Sequence, residues 1–109
     1  MELKEITDCF SSLKIVEKRC NTEEFVDLVF HSEEVDEWHR ILTAFLGDPI
    51  KPKGQEPSAK DLAITANTGG IRLDQTLFEK EFQDAVIIAK FWPWMDNIHI
   101  TLRMAKLIK

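Results

Sequence analysis

The sequence predicts an α+β domain: an antiparallel sheet of about five strands with helices packed on one face, in the order α-β-β-α-(α)-β-β-β. Three observations carry this expectation. Residues 72–109 read as three strands in series, the second ending in Phe91-Trp92-Pro93-Trp94. Residues 32–47 carry the start, stripe and stop of one amphipathic helix. The 109 residues fit a single domain over 1–109, and a chain of this size buries roughly two-thirds of its unfolded surface, enough for one core without metal or disulfide.

The first helix is expected over Glu2–Leu13, where Leu3, Ile6, Phe10 and Leu13 recur at helical spacing and Cys9 joins their face. Alternation over Leu13–Cys20 suggests a strand, and Asn21-Thr22-Glu23 a turn. Phe25–His31 is nearly free of charge and apolar on both faces, which places it inside the sheet. In the next helix Ser32 is a good N-cap, and Glu33, Glu34, Asp36 and Glu37 crowd the first turn, where the helix dipole favours anions. Val35, Trp38, Ile41, Leu42, Phe45 and Leu46 form its apolar stripe, and Gly47 stops it.

Residues 48–57 hold three prolines, Gly54 and two lysines and read as a mobile loop. Ser58 and Asp61 resemble a capping box that opens a third helix through Leu62 and Ala66, although Ile64-Thr65 also suit a strand. The three closing strands are expected at 75–82, 85–92 and from 98 to 104 or beyond.

Strand alternation assigns the faces. Ile98, Ile100, Leu102 and Met104 point to the core, while His99, Thr101 and Arg103 point away. Ala85, Ile87, Ala89 and Phe91 share a face, and Val86, Ile88, Lys90 and Trp92 share the other. Lysine is almost never fully buried, so the face bearing Lys90 is expected to meet water. It would then show an apolar centre of Val86, Ile88 and Trp92 within a polar rim, the composition of a docking surface.

Composition excludes several classes. At 44% hydrophobic and 30% charged the chain is an ordinary globular one. Its net charge of −5, concentrated in the first half, repels a phosphate backbone, so no nucleic-acid partner is expected. Uncharged apolar runs such as Ala85–Ala89 are too short for a membrane. The acidic start lacks the basic, then apolar, pattern of a secretory signal, and a cytoplasmic chain with Cys9 and Cys20 as thiols is the expectation.

No motif for catalysis, metal or cofactor emerges. His31 and His39 match no metal-binding helix spacing. Glu79 and Glu81 read as solubility devices on an exposed strand. Thr68-Gly69-Gly70 lacks the lysine ending of a phosphate loop and reads as a helix stop. Lys51, Lys53 and Lys60 could meet an anion, but a proline-rich loop would not by itself fix them. The expected function is a non-catalytic interaction module, with a protein partner or a second copy meeting Val86, Ile88, Trp92, Trp94, His99 and Arg103 on the open sheet face. The alternative is a small-molecule-binding protein or small enzyme whose pocket lies near Trp92, Trp94 and His99, with residues 48–57 as a lid.

Overall fold

In a computed structural model covering residues 1–109, five strands form one antiparallel sheet in the order β1-β2-β5-β4-β3. The strands are β1 (Glu17–Asn21), β2 (Phe25–His31), β3 (Thr76–Glu81), β4 (Ala85–Pro93) and β5 (His99–Ile108). The helices are α1 (Leu3–Thr7), α2 (Val35–Leu46) and α3 (Ala59–Thr65), each flanked by a short 3-10 turn. The α+β class, the five antiparallel strands and the element order are those the patterning predicts. No helix is long and apolar enough to cross a membrane.

Alternation places the main core on one sheet face. Val26, Leu28 and Phe30 of β2, Ile87, Ala89 and Phe91 of β4, and Ile100, Leu102 and Met104 of β5 meet Leu3, Ile6 and Phe10 and the stripe of α2. Trp38 lies between Phe10 and Phe30, with ring centroids 4.3 Å and 4.4 Å away. Large aromatic rings in such contact bury much apolar area per residue and fix the helix against the sheet.

Four details differ from expectation. The first helix stops at Thr7 and tightens into a 3-10 turn over Asp8–Phe10. The strand expected from Leu13 begins only at Glu17, because Leu13 and Ile15 pack back on the core instead of pairing. Ser32 opens a 3-10 turn over Ser32–Glu34, which leads into α2. The capping box does form: Ser58 Oγ accepts from the Asp61 N–H at 3.1 Å, and the Ser58 N–H donates to Asp61 Oδ2 at 3.0 Å. It opens α3, which does not join the other helices.

α3 and the turns after it lie on the second face of the sheet. Ile64 packs against a small core of Ile71, Leu77, Ile88 and Ala105. The expected open face is therefore sealed along its middle by residues 64–75. Lys90 does share a side with Val86, Ile88 and Trp92, but it is 0% exposed and Ile88 is 1% exposed. Lys90 Nζ donates to the carbonyls of Thr68 at 2.6 Å and Gly70 at 2.5 Å. Two consecutive glycines with φ of +97° and +77° bend the chain so that these oxygens face the sheet. A Cβ on Gly69 would stand 2.9 Å from an Arg103 nitrogen and 3.4 Å from the Trp92 ring, so the backbone approaches as closely as it does only because position 69 has no side chain.

Residues 48–57 are also more fixed than their composition suggests. Lys51 forms an antiparallel bridge with Leu77 and is 0% exposed. Its Nζ donates to the carbonyls of Pro52 and Leu73 at 3.2 Å and of Gln75 at 2.5 Å. Burial holds its amine below the ordinary lysine range, against the pull of Asp61, Asp74 and Glu56.

Candidate functional site

The β4–β5 hairpin and the start of α2 enclose a cleft of about 320 Å³. Its geometry begins with Pro93, which has no N–H to give a ladder and ends β4. The chain turns through Trp94–Ile98, closed by the Trp94 N–H on the His99 carbonyl at 2.9 Å. Asn97 takes φ +58°, a conformation that asparagine tolerates better than most residues. Asp96 organises the turn: Oδ1 accepts from the backbone N–H groups of Ile98 (2.9 Å) and His99 (3.1 Å), and Oδ2 stands 2.6 Å from His99 Nδ1. Chiefly the His99 hydrogen bond, helped by those two N–H groups, holds the Asp96 carboxyl down at about 2.

The hairpin is tied to α2 across the cleft. The Ser32 N–H donates to the Ile98 carbonyl at 2.7 Å, and Ser32 Oγ donates to the Asn97 carbonyl at 3.1 Å. Val35, Phe91, Pro93 and Ile100 supply apolar lining. Trp94 adds an aromatic wall, fixed by its Nε1–H on Thr101 Oγ1 at 2.8 Å and lying 4.8 Å from the His99 ring. Lys53 reaches the same cleft from the segment that Lys51 anchors. The Lys53 ammonium, the Thr76 hydroxyl, the Asn97 side-chain amide and His99 Nε2 make no hydrogen bond within the protein; the bonds of this region run through Ser32, Asp96, Trp94 and Thr101.

The residues expected to meet a partner fall into separate environments. Trp94 and His99 line the cleft. Val86 is half-buried against the small second core, and Ile88 is part of it. Trp92 is half-buried on the second face with the cationic groups of Arg72, Lys90 and Arg103 at 4.9, 5.6 and 5.7 Å from its ring. Arg103 is held by Asp27 at 2.9 Å and by the Thr68 carbonyl at 3.0 Å. The continuous apolar patch of Val86, Ile88 and Trp92 is thus divided, because the Thr68–Gly70 backbone takes Lys90 as a hydrogen-bond donor and covers the centre.

Asp96, beside the cleft, and Thr76, within it, escaped the sequence reading. Asp96 had a signal: an acid three residues before a histidine, across a turn, can accept from both its ring and its backbone. Thr76 had none, because it reaches the cleft through the pairing of β3 with β4. Lys53 is among the lysines that could meet an anion and lies in the 48–57 segment expected as a lid, but nothing local fixes its position. No group of three or more His, Cys, Asp or Glu side chains stands close enough to share an ion. Compared with protein-family models, with curated proteins and with solved structures, the chain gives no match.

Proposed function

We propose that this chain is a small-molecule-binding domain whose ligand lies between the start of α2 and the β4–β5 hairpin. The observation that carries the reading is a preformed cleft with apolar lining, an aromatic wall and several polar groups free of protein partners. Its volume sits at the lower end of the range for ligand pockets. Binding is favoured over catalysis because the Ser32 hydroxyl, in the same cleft, donates to the Asn97 carbonyl and not to His99, which leaves the His99–Asp96 pair without an activated nucleophile there.

The interaction reading loses its main support. A partner or second copy docking on the second face would meet Val86 and Trp92 at the margins of the 64–75 segment, with Ile88 and Lys90 beneath it.

A fragment screen by amide and indole NMR tests the proposal. Binders should shift Ser32, Val35, Phe91 and the Trp94 indole N–H together, and Trp94→Phe should weaken them while the fold persists. Binders that shift only residues outside this set would refute it.

A further inference from the structure

We infer that the ligand of this cleft is an aromatic or planar anion, a carboxylate or a singly charged phosphate ester; this rests on the cleft being the binding site. The chain as a whole carries −5, yet the cleft lining holds a lysine and a histidine and no acidic residue. A lining so unlike the rest of the surface selects for negative charge. Lys53 forms no ion pair with any carboxylate of the protein, so its ammonium is free to meet one from outside. Asp96 does not line the cleft, and its oxygens are engaged by the His99 ring and two backbone N–H groups. Its negative charge persists beside His99, so the attraction for an anion has to come from Lys53, Thr76 and Asn97.

The remaining free groups agree. The Thr76 hydroxyl and the Asn97 amide can donate to an oxyanion, and bonds of that kind are stronger than neutral ones. The ring requirement comes from Trp94, the half-buried aromatic side chain of the lining, which suits a planar apolar body; Phe91, 3% exposed and packed on Phe30 and Phe78, offers little open surface. A cationic ring is disfavoured, because the Arg19 guanidinium already lies over Trp94 at 5.4 Å. Its own carboxylate partner, Glu17 at 2.9 Å, is on β1, outside the cleft lining.

Three probes of one shape separate the possibilities: benzoate, benzamide and benzamidine, titrated into the full chain and followed by NMR at Phe91, Trp94 and His99. Benzoate should bind about fivefold tighter than benzamide, as a charge-assisted hydrogen bond implies, and benzamidine should bind weakest. Lys53→Gln, at an exposed position without an ion pair, should reduce benzoate to the level of benzamide and leave thermal unfolding unchanged. Equal binding of benzoate and benzamide at these residues would overturn the anion inference and leave the cleft as a binding site. Shifts at none of these residues with any probe would overturn both.

Discussion

Lys90 makes the stability of this protein rise with pH where most proteins lose it. The amine is fully buried under Thr68–Gly70, and it titrates at about 8 instead of 10.5. Burial is the largest cause; Arg103 from β5 and Arg72 from the covering segment add repulsion, and Asp27 from β2 opposes them. The unfolded chain therefore holds this proton more tightly than the folded one. Between about 8 and 10.5 the unfolded state carries more protons, so unfolding becomes harder as pH increases. The interval converts to about 3 kcal/mol at about 1.36 kcal/mol per tenfold in proton affinity. About 3 kcal/mol is a ceiling, since water admitted by local opening relieves part of the burial. Lys51, also lowered by burial, acts in the same sense below the ordinary lysine range, and Lys106, raised by its bond with Glu2, acts in the opposite sense above it. The comparison that isolates Lys90 is urea unfolding of wild type and Lys90→Met from neutral pH to 10.5. Methionine leaves two carbonyls without a donor, a cost that is constant with pH. The stability of wild type relative to Lys90→Met should climb by up to about 3 kcal/mol over the range. A flat or falling difference would refute the assignment of a charged, buried Lys90 at neutrality.

Four further outcomes follow from the same contacts. Gly69→Ala adds a Cβ at φ +97° within 2.9 Å of Arg103, and should cost about 1–3 kcal/mol in urea unfolding. Asp27→Asn removes one side of the partly buried pair with Arg103 at 2.9 Å and should cost about 2 kcal/mol, with a double-mutant cycle against Arg103→Met recovering most of it as coupling. Asp96 titrates at about 2 in the fold against 3.8 ordinarily, so its contribution is present above 3.8 and is lost as pH falls towards 2; Asp96→Asn should flatten acid unfolding across that window. Lys51→Met should speed amide hydrogen exchange at Ile50, Lys51 and Leu77, whose backbone groups share the bridge, relative to the β4–β5 ladder.

The parts of the fold legible in the sequence are those where side-chain period reports burial directly. Leu102 and Met104 alternate with Thr101 and Arg103, and the core takes the first pair as read. Gly47 stops α2 with φ +80° and ψ −176°, a backbone region that essentially only glycine enters. What was not legible depended on backbone acceptors. Lys90 looked like a marker of water because lysine is rarely buried, and side-chain identity carries no record of carbonyls twenty residues upstream that will receive it. Gly69-Gly70 read as a helix stop, which they are, but the same bend also delivers the oxygens that bury the lysine. The cleft was half legible for the same reason. Trp94 and His99 sit on one hairpin and are close in sequence, whereas Lys53 arrives only through the pairing of Lys51 with Leu77.

Both buried lysines act on the long excursion between α2 and β3, and their chemistry explains why lysine and not leucine stands there. Residues 48–57 are poor in large apolar side chains, so hydrophobic contact, which is non-directional, would hold this backbone weakly and in no set register. The carbonyls of Thr68, Gly70, Leu73 and Gln75 also need donors once covered. An ammonium has three N–H donors and no acceptor, so Lys51 can satisfy three carbonyls at once and Lys90 two. Each bond costs desolvation of a charge but fixes direction as well as distance. Lys51 thereby sets the path of the chain two residues before Lys53, and Lys53 meets a cleft already shaped by the hairpin. Under the proposed binding role, Lys53 on an irregular segment gains the rigidity of the sheet in this way, which is what a preformed site on a loop requires.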